Sequence, residues 1–344
     1  MSNSPSKNIL IIQTAFIGDT ILASHFAREV KLCFPDSNIH FVLRRGNESV
    51  IQGLSTISQT WIWDKKGGKF RNLFKLIKKL RKIRFDIVFN LHRHANSGLI
   101  STCMHSPVKV GFKENPLSFF YSHKKNHIIP HHPKNNSEVP LHEVDRNFEL
   151  LQLIYPSHKK QILRPELPLQ QKDFDKVKNY KSSPYFVIAP ASVWFTKAWS
   201  EHKFRELTME LVNWGKVYFI GAPTDLDLCA RITKDVPLTE NLCGKLSLLE
   251  SAALMKDALR VFVNDSAPLH LASCVNAKTT AIFCSTVPAF GYTPLAENSV
   301  VIDMENQLTC RPCGLHGHKN CPKGHFACSE NIEVSRVVST HLSQ

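Results

Sequence analysis

The sequence predicts an α/β protein built from two doubly wound halves. Three observations carry this. Short continuous apolar runs, such as Asn8-Ile-Leu-Ile-Ile-Gln13 and Tyr185-Phe-Val-Ile-Ala189, alternate with longer amphipathic stretches, as strands covered on both faces alternate with their helices. The alternation lapses in mid-chain and then starts again. Finally, the conspicuous polar clusters each fall just behind an apolar run, at the carboxyl end of a parallel strand, where ligands of such sheets bind.

Asn8 to Gln13 is the first strand. A short loop, Thr14 to Asp19, leads into an amphipathic helix from Ile21 to Phe34, stopped ahead of Pro35 because proline cannot continue a helix. Asn38 to Leu43 and Gln59 to Trp63 are the next strands. Phe70 to Ile83 is a basic amphipathic helix and Phe85 to Asn90 a fourth strand. Lys113 to Pro140 is expected to be a loop rich in His, Lys and Pro, and a helix from His142 to Tyr155 completes a first domain of residues 1–165. Residues 156–183, polar with scattered prolines and lysines, read as the interdomain linker. A second domain, residues 184–344, opens with Tyr185 to Ala189. It continues through helices at 200–213, 225–233, 248–256 and 268–274 and strands at 216–220, 259–263 and 279–284, the last of which closes the set. Strand–helix–strand units of this kind wind right-handed.

The chain has 344 residues and a formal charge of +14. No apolar run approaches the ~20 residues that span a bilayer, and Met1 to Lys7 leads straight into a strand without a signal-peptide core, so a cytoplasmic location is expected. Much of the charge lies in Lys65 to Arg84, where no acidic residue interrupts the Lys and Arg, and in Lys113 to Lys134. A solvated helix face, nucleic acid, an anionic membrane surface and an anionic substrate all fit such charge. No recognisable nucleic-acid module accompanies it, and a polyanionic lipid head group at a membrane surface fits better.

The polar clusters carry the candidate chemistry. Asp265-Ser-Ala-Pro-Leu-His270 follows an apolar strand and opens a helix. Its start exposes unpaired N–H groups and the positive dipole end, a seat for phosphate, to which His270 adds a donor or a charge. The plain alternative is a helix cap. Pro190 to Trp199 follows the first strand of the second half, and Ser192 and Lys197 within it suit a diphosphate; the alternative is a surface lysine over packed tryptophans. Gly221-Ala-Pro-Thr-Asp225 offers a carboxylate for ribose hydroxyls, or again a cap. Phe16-Ile-Gly18-Asp19 follows the first strand; Gly18 permits a tight turn, and Asp19 is a general base or the N-cap of the next helix. Near the C-terminus, Cys310, Cys313, Cys321 and Cys328 lie within a short span that His316, His318 and His325 punctuate. The set suits one structural Zn²⁺, redox-sensitive or disulfide-forming cysteines, or unligated thiols. The other cysteines are scattered through apolar stretches, which argues against a secreted disulfide scaffold.

Taken together, Ile9 to Asp19, His142-Glu-Val-Asp-Arg146, Pro190 to Trp199, Gly221 to Asp225, Gly244-Lys-Leu246-Ser and Asp265 to His270 resemble the ADP-heptose:lipopolysaccharide heptosyltransferases, glycosyltransferase family 9, in order over nearly the full length. The resemblance implies a GT-B fold, two Rossmann-like domains facing across a cleft, with the acceptor bound by the first and the nucleotide sugar by the second. It implies Asp19 as catalytic base, Lys197 and Ser192 on the diphosphate, Asp225 on the ribose, Leu246 against the adenine, and Asp265, Ser266, Ala267 and His270 on phosphate and sugar. The implied reaction is inverting transfer of heptose from ADP-heptose to an inner-core acceptor, without a catalytic metal, because cationic groups stabilise the leaving diphosphate. An autotransporter protein as acceptor, and a basic nucleic-acid-binding protein without activity, are the competing readings; nucleic acid is not expected as a partner. Two positions depart from the family's usual pattern: Ala267 stands where glycine is usual, and Gln13 where Arg or Lys usually ends the first strand.

Overall fold

The computed structural model describes residues 6–130, 140–306 and 308–342. It divides into two compact units, Met1–Ile128 with Glu143–Pro168, and Ile129–His142 with Leu169–Gln344. The histidine-rich residues 131–139 of the basic loop, including Lys134, lie outside the described residues.

The first unit holds β1 (Asn8–Ile12), α1 (Ile17–Cys33), β2 (Asn38–Arg44), β3 (Gln59–Trp63), α2 (Lys69–Leu80), β4 (Ile87–Asn90), α3 (Ala95–Thr102), β5 (Val108–Phe112), β6 (His123–Lys125) and α4 (Glu143–Gln152). The second holds α5 (Gln171–Val177), β7 (Tyr185–Ala189), α6 (Glu201–Leu211), β8 (Lys216–Phe219), α7 (Leu226–Thr233), β9 (Thr239–Asn241), α8 (Leu248–Met255), β10 (Val261–Asn264), α9 (Ala267–Cys274), β11 (Thr279–Ile282), β12 (Ser299–Ile302), α10 (Ala327–Glu330) and α11 (Val334–Leu342). Each sheet has six strands, ordered β3-β2-β1-β4-β5-β6 and β12-β11-β10-β7-β8-β9, and the pairings are parallel. Counted from the first strand of each unit, both orders are the 3-2-1-4-5-6 of dinucleotide-binding sheets. The order reverses between β1 and β4 in one sheet and between β7 and β10 in the other. The loops behind those strands therefore open the two crevices that matter.

Central strands are apolar on both faces and fully buried, as in Leu10, Ile11, Phe89, Phe186, Ile188 and Phe262, while helices contribute one apolar face. The short polar edge strands β6 and β9 escape a reading that looks for apolar runs, because an edge strand buries little. β12, beyond the strand expected to close the second sheet, pairs in register with β11.

Residues 156–183, expected as a linker, are folded against the units on either side. Glu29 of α1 is fully buried. Its carboxylate accepts from the N–H groups of Gln161 and Ile162 (2.8 and 2.6 Å) and pairs with His158 at 2.6 Å. Further on, α5 packs on α8, and Lys181 donates to the Ala253 carbonyl at 2.9 Å and to Asp257 at 2.5 Å. The His142–Arg146 motif also has a structural reason. Glu143 is buried between His127 and Arg146, each 2.9 Å away. Burial alone raises a carboxyl pKa, yet these two partners outweigh it and hold Glu143 down at about 2.

Candidate active site

In the second unit, the loop behind β7 is pinned at both ends by one buried side chain at the end of β10. Asn264 donates to the Pro190 carbonyl (2.7 Å) and accepts from the Trp199 N–H (2.9 Å). Its burial is complete, so both bonds form in a setting where an unmade one costs ~1–3 kcal/mol. The loop between them carries the half-buried Ser192 and a single 3-10 turn, Phe195–Lys197. This turn brings the Lys197 ammonium to 2.7 Å from Asp265. Asp265 is itself buried and accepts from the Thr286 hydroxyl at 2.7 Å. Two clusters far apart in sequence thus meet at the switch point of the sheet.

Behind Asp265, α9 begins at Ala267 with proline in its first turn, and no side chain caps it. The Ser266 hydroxyl leans back toward the Asn264 carbonyl, 3.4 Å away. The helix start therefore presents backbone donors and its dipole. Ala267 is the first helical residue, so the position makes no demand for the positive φ that glycine would favour. His270 is buried at 4 % exposure and its Nδ1 has no partner among the described residues. Burial pushes its pKa down to about 3, with Asp265 pulling the other way. Burial therefore favours the neutral ring over the positive charge considered for His270, leaving one nitrogen to donate and the other to accept.

The ribose and adenine candidates lie on neighbouring loops. The Gly244 N–H donates to the Gly221 carbonyl at 3.0 Å, which joins the loops behind β8 and β9. Any side chain at Gly221 would collide with Asp225 Oδ2 at 2.7 Å. That oxygen accepts from the Ala222 N–H at 2.8 Å, so Asp225 does cap its turn. Leu246, half-buried, follows Gly244.

In the first unit, Asp19 stands half-buried in the first turn of α1, whose N-cap is Phe16. Gly18 is helical rather than part of a tight turn ahead of the helix. The side chain of Gln13 is buried and folds back to accept from the Ala15 N–H at 3.1 Å. The cation missing at this position comes from another strand end. Lys65, behind β3, donates to the Thr14 carbonyl at 2.7 Å and lies over the Trp63 ring at 4.6 Å. Burial, with Arg44 and Lys69 nearby, lowers its pKa to about 8. Behind β4, His92 meets the Thr14 hydroxyl at 3.0 Å and packs edge-on against His94 at 4.5 Å. Burial first, then His94 and Lys65, hold His92 down at about 3. Asn115 fixes this loop by donating to both histidine carbonyls at 3.0 Å. Thr286, Asn264, His92 and His94 join the site residues expected from sequence. The rule that located Asp19 and Lys197, polar residues just behind a strand, applies equally to Leu91-His-Arg-His94.

Cys310, Cys313, Cys321 and Cys328 all line one pocket of about 310 Å³, with His318 and His325 on its wall. Among the described residues no three His, Cys, Asp or Glu side chains stand at metal-ligand separations; Cys310 and His325 come to 3.9 Å.

Two units of this topology are the GT-B fold of glycosyltransferases. The solved ADP-heptose lipopolysaccharide heptosyltransferase II of E. coli superposes with a TM-score of 0.77 over 98 % of both chains at 18 % identity. The family model Glycosyltransferase family 9 (heptosyltransferase) matches residues 73–322, and the chain belongs to that family. Among its relatives are lipopolysaccharide heptosyltransferase 3 of Escherichia coli (strain K12), 26 % identical over 82 % of this chain and 84 % of that one, and lipooligosaccharide heptosyltransferase 2 of Campylobacter jejuni, 23 % identical over 96 % of each.

Proposed function

We propose that this heptosyltransferase moves heptose from ADP-heptose to a hydroxyl of the lipopolysaccharide inner core with inversion at the anomeric carbon. The observation that carries the donor half is the Lys197–Asp265 pair at the uncapped start of α9. Its lysine and backbone donors converge where a leaving diphosphate gains charge. Ser192 adds a hydroxyl and His270 a neutral donor, Asp225 takes the ribose and Leu246 the adenine. Asp19 takes the proton of the acceptor hydroxyl as that oxygen attacks, and ADP departs with its bonding pair from the opposite face. Lys197 and the hydrogen-bond donors around it supply the stabilisation, so no catalytic metal enters the proposal. Relatives named for lipopolysaccharide and lipooligosaccharide favour a lipid-linked acceptor over an autotransporter. NMR of the transferred sugar tests the stereochemistry: the new bond has the anomeric configuration opposite to the donor's, and retention overturns the single-displacement reading.

The acceptor's membrane is the second part of the proposal. Helix α2 buries Leu73, Leu76, Ile77 and Leu80 and leaves Phe70 and Phe74 61 % and 58 % exposed, amid Lys69, Arg71, Lys75 and Lys78. Among the described residues no helix is long and apolar enough to cross a membrane. Exposed aromatics among cations suit an anionic lipid surface, with each cation near it contributing ~1 kcal/mol. Replacing Phe70 and Phe74 with Ser and Lys75 and Lys78 with Glu is expected to lower sedimentation with phosphatidylglycerol vesicles at least about tenfold and to leave ADP affinity unchanged. Equal loss of ADP affinity, or undiminished vesicle binding, contradicts this surface.

The convergence of four thiols on one pocket supports a structural Zn²⁺, toward which the ligands would have to draw closer. Elemental analysis is expected to find zinc bound to the purified protein and missing from a Cys310→Ser, Cys313→Ser variant; zinc-free wild-type protein with full activity would remove it.

A further inference from the structure

The cysteine-rich segment touches the donor site through a few short contacts that involve none of its thiols. Gly317 has φ +74°, and a Cβ there would meet the Thr196 hydroxyl at 2.7 Å, the Ser285 hydroxyl at 2.9 Å and Lys197 Cγ at 3.1 Å. The next residue brackets the turn that carries Lys197. The His318 N–H donates to the Thr196 hydroxyl at 2.8 Å, and the Thr196 N–H donates to the His318 carbonyl at 3.1 Å. Thr196 is 1 % exposed. The Thr196 carbonyl in turn accepts from the Ser285 N–H at 3.2 Å, and the Ser285 carbonyl from the Cys313 N–H at 2.8 Å.

A second route reaches the other end of the same lysine. Arg311 donates to the carbonyls of Cys284 and Thr286, each at 2.5 Å, and of Phe283 at 3.1 Å. The Thr286 hydroxyl holds Asp265, and Asp265 holds the Lys197 ammonium. The backbone of Lys197 is thus set by Gly317 and His318, and its head group, at two removes, by Arg311. A lone loop lysine loses up to ~2 kcal/mol of rotamer freedom when it is fixed. A site that receives a diphosphate gains if this ordering precedes binding.

We infer that the cysteine-rich segment is a positioning element of the donor site, with Thr196 and Gly317 as positioning residues that preset Lys197 for a nucleoside diphosphate. This rests on the donor reading above and adds to it the source of the lysine's order. The residues concerned do not touch the ligand, and their effect appears as affinity for the diphosphate.

Calorimetric titration with ADP on the full chain tests it with four variants. Thr196→Val keeps the shape and removes the hydroxyl, and is expected to weaken ADP about tenfold. Thr196→Ser retains the hydroxyl and is expected to restore wild-type affinity, a rescue that a packing role for the Thr196 methyl would not show. Gly317→Ala forces the contacts above and is expected to weaken ADP at least as much; its melting temperature, read alongside, identifies a misfolded sample, in which case the two Thr196 variants decide alone. Lys197→Ala separates the two claims. If it weakens ADP while Thr196→Val binds like wild type, the positioning role is overturned and the donor reading stands. If Lys197→Ala itself binds like wild type, the donor reading falls, and the positioning role with it.

Discussion

Lys197→Ala is expected to weaken ADP binding about 10- to 100-fold, the equivalent of the ~1.5–3 kcal/mol of a hydrogen bond to a charged group. The loss extends beyond the missing donor. Asp265 is 6 % exposed and has Lys197 at 2.7 Å. Without the ammonium, its carboxylate keeps the Thr286 hydroxyl and faces the incoming diphosphate as an uncompensated negative charge. Asp265→Asn in the same background removes that repulsion and is expected to recover part of the affinity, as residues in one network couple. Titration of the single and double variants with ADP decides. An affinity for Lys197→Ala within about twofold of wild type, far below the scatter expected of a lost charged contact, would show that the lysine serves its ion pair alone.

The opposite pattern is expected of Asp19→Asn. The amide nearly matches the carboxylate in size but cannot accept the acceptor's proton, and general-base catalysis is worth about 10²–10⁴-fold. Turnover should fall by that factor while ADP binds with wild-type affinity, because donor and acceptor are assigned to different units. Steady-state rates with saturating donor and acceptor, together with an ADP titration, check both halves. Undiminished turnover removes Asp19 from the mechanism. A parallel fall in ADP affinity ties it to the donor instead.

Much of this arrangement was legible in the amino-acid order. Buried parallel strands such as Tyr185–Ala189 and Asn8–Ile12 announce themselves by runs of apolar side chains, and their ends locate the loops that matter. Edge strands such as Thr239–Asn241 do not, because their side chains are half in solvent. Helix α3, Ala-Asn-Ser-Gly-Leu-Ile-Ser-Thr, was missed for a related reason. Its residues are small so that it can pack closely; a Cβ on Gly98 would stand 2.3 Å from Asn115 Oδ1. Pairings are the deeper limit. That Lys197 and Asp265 are both candidates for a phosphate site can be read from their positions behind strands. That they bond to each other, that the third group is Thr286, and that a glycine in the cysteine-rich segment seals the turn all depend on contacts between distant parts of the chain. The charge of His270 was likewise open, since a histidine's protonation follows from burial, which local sequence does not specify. Gln13 looked like the loss of a cation from the first strand, whereas Lys65 brings one to the same loop from behind β3.

The most direct test of the central claim, a diphosphate-gripping second unit that delivers heptose, is the initial rate of transfer to a heptose-deficient lipopolysaccharide acceptor measured across a panel of nucleotide sugars. ADP-heptose is expected to be turned over in clear preference to UDP- and GDP-sugars and to other ADP-sugars, with ADP as a competitive inhibitor against the donor. Preferential use of a different nucleotide, or binding of ADP-heptose with no sugar reaching any lipopolysaccharide acceptor, would contradict the account.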